Sequence, residues 1–422
     1  VAPAPAAAQL PGDTLPRAAD TTPATPAPDP LLEDLRSRYA HVAVSPHAHG
    51  TLVGVVLRLS AGADRDPPGR EGAAHLLARV REEQAEELLD PARATLTARV
   101  ERGATVYTLL AVPDAWPGTL AAVDSLVFEA PVPPARVDRQ RARLGETLRF
   151  ESGSPVRTFE DEAASLLTEA GSPWAAPVRG TPASVDALTT EALEAWHRDH
   201  ARRGDAVVAL AGPLEPATAT TGREDPPVGD PGVGTGGPTP RVAWRVGDRV
   251  ALVQEVTSGW LAVAWPAPDT VPRTAMELLA HLLEEELDPV PPDPDRYDVE
   301  VEVLDAPGGP VLQLRATLLP EALLRWEERV LAAVTALARE PMEPDFFRWR
   351  RRRFRTARLL AEAAPEAEAD RMTRDLAARG RARDLDRAIW GLDSSGLLAA
   401  VRALGEPRIL LLGPDLAGDG SR

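Results

Sequence analysis

The chain contains no cysteine. That excludes disulfides, thiolate metal sites and a cysteine nucleophile. It contains no lysine either, so all 47 basic residues are arginine. A total absence suits no single site, because lysine and arginine differ in geometry and hydration rather than in charge; it reads as a coding bias. No apolar run approaches the ~20 residues that a membrane-crossing helix needs. No serine sits in a nucleophile elbow, and no glycine-rich phosphate loop follows a strand. The run GVGTGG at 232–237 lacks the Lys-Ser/Thr that would follow a phosphate loop and opens no helix. The net charge of −17 argues against indiscriminate binding to nucleic acid or anionic lipid.

What is present is a chain of 422 residues, 44% hydrophobic, long enough for two or more cores. Residues 1–31 are rich in Ala, Pro and Thr and begin at Val1. They read as a disordered leader left after signal-peptide removal, which predicts an exported, periplasmic protein. An arbitrary start is the alternative, and a cytoplasmic location stays open. A short helix or turn and then a strand are expected over 32–45, and a buried strand over 51–62. A helix follows from about 73, then a hairpin turning at Arg102-Gly103. Helices are expected near 116–129, 134–150 and 158–170. Thr189 should cap a further helix that Gly204 ends, before the strand DAVVALAG. Residues 213–240 carry too much Gly and Pro for a regular element and read as a linker.

The second half echoes the first. AHLLEEELD repeats AHLLARVRE, LQLRATLLPEAL repeats VYTLLAVPDAW, and ILLLGPDL repeats VALAGPL. The three matches keep their order and near-equal spacing, which marks a duplicated domain. The expected units are 32–212 and 241–422, each mixing strands and helices in an α+β arrangement.

GAAHLLAR at 72–79 is nearly an H-x-x-E-H helix, in which two histidines bind zinc and the glutamate activates water. Together with VYTLLAVPDAWPGTLAAVDSLVF and PVRGTPASVDALTTEALEAWHRDHARRGDAVVALAGPL, it resembles the pitrilysin/insulinase-type (inverzincin) peptidases. It is similar also to their non-peptidase relatives, the processing-peptidase subunits and the bc1 core proteins. The resemblance spans about residues 32–416. It implies two homologous domains, each a mostly antiparallel sheet packed with helices, forming half of a clamshell.

The resemblance also implies a broken catalytic inventory. His75 matches the first zinc histidine. Ala78 takes the place of the catalytic glutamate and cannot move a proton. Arg79 takes the place of the second histidine and, staying protonated, cannot ligate. Glu146 matches the third ligand, and a salt bridge from Arg79 to Glu146 would fill the vacated space. Tyr297 matches the tyrosine of a substrate-holding Arg-Tyr pair; the arginine is missing from DPVPPDPD, and the adjacent Arg296 should face the wrong way. His75 by itself suits a core position better than a metal site.

Other signals are weaker. His281 and Glu284 have H-x-x-E spacing, but the resemblance puts no metal in the second domain, and Glu284 to Glu286 read as a solvated face. FFRWRRRRFRTAR at 346–358 includes Arg348, Arg350, Arg351, Arg352, Arg353 and Arg355. It reads first as a surface helix whose arginines pair with the protein's own acids, and second as a dock for an acidic partner. His47 with His49, and His197 with His200, lack a third ligand. The expectation is a non-catalytic peptidase-like subunit with no metal or other cofactor. It would pair with an active HxxEH subunit or another assembly partner. A scaffold role without any peptidase is the alternative, and an active enzyme with rearranged ligands is a third reading.

Overall fold

The structure, a computed structural model, describes residues 30–47, 50–167, 172–214, 249–288, 293–306 and 308–414. The expected leader up to residue 29, nearly all of the expected linker, and His49 lie outside them. The first half runs α1 (Pro30–Arg38), β1 (His41–Pro46), β2 (Val53–Leu59), α2 (Ala73–Leu88), β3 (Ala94–Val100) and β4 (Thr105–Ala111). It continues with α3 (Trp116–Phe128), α4 (Pro134–Glu151), α5 (Pro155–Leu166), α6 (Pro182–Asp186), α7 (Thr190–His200) and β5 (Ala206–Gly212). The second half runs β6 (Arg249–Val253), β7 (Gly259–Pro266), α8 (Arg273–Leu287), β8 (Arg296–Ala306), β9 (Gly309–Leu318) and α9 (Leu323–Leu337). Then come α10 (Pro344–Ala361), α11 (Pro365–Arg379), α12 (Leu385–Trp390), α13 (Ser394–Arg402) and β10 (Arg408–Gly413).

The two sheets have the same topology, β1-β5-β2-β4-β3 and β6-β10-β7-β9-β8. Only β1 with β5 and β6 with β10 pair in parallel; the other neighbours are antiparallel. The repeats read from sequence thus become the same strand and helix order, and the class is α+β. One helix end differs from expectation. Thr189 does cap α7, accepting from Ala192 N at 3.2 Å, but the helix stops at His200, and Gly204 lies in a following single turn.

Side chains alternate across each strand, and the alternation assigns each sheet two different covers. On the first sheet, Val53, Val55, Leu57 and Leu59 face a core closed by α1 and α3. The opposite face offers Val56, Val106, Ala209 and Ala211, and it is covered by Ala369 and Met372 of α11, from the second half of the chain. On the second sheet, Ile409 and Leu411 join that half's own core. Leu410, Leu412 and Ala262 pack instead against Phe159 and Ala163 of α5, from the first half. Each half therefore lends a helix to the other's sheet.

Polar contacts reinforce the exchange. Glu368 on α11 accepts from Ser45 Oγ at 2.7 Å and pairs with His47. Arg99 on β3 bridges to Asp370 at 3.2 Å. Gln254 Nε2 donates to the Gly153 carbonyl at 3.3 Å. The seat of α11 is close enough to require glycine: a Cβ at Gly54 would lie 2.5 Å from the Glu366 backbone nitrogen. Gly54→Ala should thus lower stability by about 1–3 kcal/mol through overpacking. Gly118→Ala, on exposed helix with nothing within 4 Å of the new Cβ, should be neutral or gain up to ~1 kcal/mol. Urea denaturation midpoints check this, and equal midpoints for the two variants would refute the tight seat.

Candidate functional site

The near-motif lies at the start of α2, and two loops position it. Asp66 accepts from the backbone N–H groups of Gly72 at 2.7 Å and Ala74 at 2.9 Å, capping the helix from outside its own sequence. Burial nevertheless pushes its carboxyl up to about 7. Gly72 has φ +95°, and a Cβ there would meet the Arg179 carbonyl at 2.7 Å. Gly180, φ +75°, presses equally close on the Glu71 carbonyl, to which Ser184 Oγ donates at 2.8 Å. These contacts explain why RGTPAS carries so specific a pattern: it docks on the mouth of α2 and delivers Arg179 to the site.

A cavity of about 570 Å³ runs between α2 and α4. His75, Arg79, Glu82, Glu83 and Glu86 line it from α2, Gln140, Arg143, Leu144 and Thr147 from α4, and Arg179 from the loop. Ala78 is buried, 1% exposed. His75 is half-buried. Burial, reinforced by the positive charges of Arg79, Arg179 and Arg157, lowers its pKa to about 4. Arg179 is held by a two-pronged pair with Glu151 at 3.1 and 2.7 Å.

Two expectations require correction. The Arg79–Glu146 bridge does not form: Arg79 pairs with Glu82, one turn along its own helix. Glu146 is exposed and does not line the cavity, whereas its neighbour Thr147 does. One residue on a helix is a rotation of about 100°, so a one-place offset turns a would-be ligand away. Besides His75, the cavity is lined by three arginines, Arg79, Arg143 and Arg179, and by three glutamates, of which Glu82 is paired with Arg79 and Glu83 with Arg139. His75 is the only histidine of this lining, and the guanidinium at position 79 cannot ligate zinc. Among the described residues, no group of three His, Asp or Glu is placed to hold a metal.

Tyr297 is the second residue of β8. It is the extra residue of a β-bulge between Arg296 and Asp298 and is 61% exposed. Arg296 pairs with Asp288 instead of joining it.

The second copy of the site is filled from within. Glu285 does not belong to a solvated face. Its side chain is only 14% exposed; it pairs with Arg350 and, at 2.8 Å, with Arg353 of α10. His281 lies 3.6 Å from the same carboxylate and against the Phe354 ring. The other arginines of α10 are also largely used inside the molecule. Arg351 donates to the Trp390 and Leu392 carbonyls at 3.1 and 2.6 Å, Arg355 grips Asp386 with two bonds, and Arg348 pairs with Asp345. Arg352 is exposed. Arg350 and Arg353 also stack over Trp349, at 5.3 and 4.9 Å. Of the remaining histidines, His197 bonds to the Val127 carbonyl at 2.7 Å and His200 packs edge-on to Trp196.

Sequence reasoning missed Arg81, fully buried on α2, whose two Nη groups donate to the Ala130 and Pro131 carbonyls at 2.7 and 3.0 Å. It missed Arg143, Thr147 and Arg179 as well. Only Arg179 had a signal, its place beside Gly180-Thr181.

Two outcomes follow. His75 should titrate with a midpoint near 4 by NMR. Its folded pKa lies below the ordinary 6.5, so the protein holds fewer protons than the unfolded chain between these values. Stability is full above pH 6.5 and declines as pH falls toward 4, and His75→Gln should flatten that segment of a denaturation–pH profile. Glu285→Gln, by stranding Arg350 and Arg353, should cost roughly 2 kcal/mol in urea denaturation.

No family model matches the sequence, and no curated protein matches it. The fold does have solved counterparts. The inactive domain of an M16 peptidase from Pseudomonas fluorescens superposes with a TM-score of 0.71 at 15% identity, over 90% of this chain and 97% of that one. A chain of complex III2 from Candida albicans gives 0.69 at 12%, over 88% and 93%. The periplasmic protease PqqL from Escherichia coli gives 0.64 at 10%, with 88% of this chain matching 44% of the enzyme. The chain has the two-domain α+β fold of the M16 peptidases.

Proposed function

We propose that this chain is a non-catalytic peptidase-like subunit that works by pairing with another protein. The observation that carries the reading is the wall of the His75 cavity. Where a zinc peptidase needs a second histidine and a base, this chain offers Arg79 and the methyl of Ala78, and two of the glutamates in the cavity wall are engaged, Glu82 with Arg79 and Glu83 with Arg139. Permanent positive charges beside His75 oppose a divalent cation. The substrate-holding pair is reduced to an exposed Tyr297. The favoured partner is an active HxxEH subunit that supplies zinc and the glutamate. The inactive M16 domain among the structural neighbours supports the loss of catalysis, and PqqL supports an exported, periplasmic location.

A second reading is favoured by the complex III2 chain: a scaffold subunit of a larger assembly with no peptidase in it. Co-purification separates the two. An intact HxxEH protein retained with the chain supports the first, and a large complex lacking one supports the second.

Zinc analysis of the purified chain should give a value close to zero. One zinc per chain would overturn the reading. The frame itself is tested by rebuilding the site. Arg79→His combined with Thr147→Glu should tighten zinc binding at least about tenfold, or about 1.4 kcal/mol, by calorimetry. Arg79→His alone, relying on the native Glu146, should gain nothing.

A further inference from the structure

The duplication lets one half of the chain be read against the other. α4 and α10 each have 18 residues and begin at Pro134 and Pro344. In register, Gln140 corresponds to Arg350, Arg143 to Arg353, Leu144 to Phe354 and Thr147 to Ala357. On the partner helices, His75 corresponds to His281 and Arg79 to Glu285. The contacts agree with this register: Leu144 and Thr147 line the cavity with His75, as Phe354 and Ala357 line the smaller one with His281.

In the second half the guanidinium of Arg353 has its carboxylate, Glu285, at 2.8 Å, with His281 alongside. In the first half the corresponding Arg143 shares its cavity with another arginine, because Arg79 stands where Glu285 would. Among the described residues Arg143 makes no ion pair, and it is exposed. The acids of the cavity are already engaged or remote. Glu82 is paired with Arg79 and Glu83 with Arg139 and Gln140. Glu86 lies two turns beyond Arg79, toward the other end. One further feature shares the Arg143 stripe. Phe150, seven residues along α4 and so on nearly the same face, is 90% exposed. It is the most exposed large apolar side chain among the described residues.

We infer that this groove receives a carboxylate side chain from a partner protein, held by Arg143 in the cavity that His75 also lines, with the Arg79–Glu82 pair alongside and an apolar residue of the same partner covering Phe150. The incoming acid restores the arrangement that Glu285 completes within the second half. Guanidinium–carboxylate pairing of this kind is charge-assisted and directional. A side chain, rather than a free acid, is favoured by the adjoining apolar contact, since ring and guanidinium together present a surface only a larger partner covers. The inference deepens the pairing proposed above, but its test requires no partner.

The seven histidines of the chain give resolvable imidazole signals by NMR. The full chain is titrated with N-acetyl-glutamate amide, with its glutamine counterpart, and with N-acetyl-dialanine bearing a free C-terminal carboxylate. The glutamate probe should shift the His75 signal saturably and leave His197 in place. The glutamine probe should not shift it. Arg143→Gln should weaken the glutamate response about tenfold. Arg79→Glu, which rebuilds the second half's arrangement internally, should abolish it. No His75 response, an equal response to glutamine, or an unchanged response in Arg143→Gln overturns the inference. A response to the C-terminal carboxylate alone overturns the assignment to a side chain. Failure of the pairing itself would be read separately, from co-purification.

Discussion

The exchange of α5 and α11 between the two sheets is the contact on which the rest of the molecule depends. Each sheet is buried on both faces along its central strands: all seven residues of β2 and of β5 are buried, as are all six of β10. A strand buried on both faces is apolar over most of its length, which is why VGVVLRL, AVVALAG and RILLLG show no polar alternation; the exceptions are Arg58, paired with Glu101, and Arg408 at the start of its strand. The outer faces are lined by small side chains, Ala209, Ala211 and Ala262, because a helix from the other half must approach closely. Gly54 marks the nearest approach. Removing either borrowed helix would expose an apolar sheet face, so the stability of each half is tied to the other by the hydrophobic term itself.

That mutual dependence allows the sites to diverge. The framework of two helices against a sheet is retained in both halves, while the charge on one helix position has opposite sign. Glu285 draws two arginines of α10 onto α8 and closes the second copy with a buried network. Arg79 turns aside to Glu82 and leaves the first copy as an open groove in which Arg143 has no ion pair among the described residues. The same packing therefore supports a closed structural centre in one half and an accessible one in the other. The difference lies in side chains, above all Arg79 against Glu285, while the strand and helix order is the same.

Much of the fold was legible because it rests on local chemistry. The alternation or continuity of apolar residues located the strands, Thr189 announced its helix, and the repeated strings announced the duplication. The helix exchange was not legible. α5 and α11 are amphipathic helices like any other, and nothing in their own residues says which sheet they cover. At the site, His75, Ala78 and Arg79 were placed by the motif, and Tyr297 by its position at a strand start. Glu146 was misplaced because a string alignment tolerates a slip of one residue, while a helix converts it into a quarter turn or more. Glu285 was misread for a related reason. In sequence it belongs to an acidic run, and only the fold brings α10 over it. Arg179 comes from a loop about a hundred residues from α2, and its arrival depends on two glycines with positive φ meeting backbone to backbone.

The electrostatics of the groove also set what a metal site here would require. Restoring a glutamate at Ala78 would place a carboxylate at a fully buried position with no metal to draw its proton away, so burial would favour its neutral form. Restoring a histidine at Arg79 would free Glu82 and still leave Arg143 and Arg179 facing the metal position. Each positive group within about 5 Å of a dication costs several kcal/mol even at the effective dielectric of a protein surface. Zinc binding therefore requires at least the removal of Arg79 and the arrival of an acid on the Thr147 face together, since neither change alone supplies three donors. The low pKa of His75 is part of the same balance. A neutral imidazole beside the charges of Arg79, Arg179 and Arg157 is the state in which this groove is least self-repulsive. In the groove as it stands, Arg143 is the guanidinium without an ion pair among the described residues, and the pairing proposed for it is the one that Glu285 makes with Arg353 in the second half.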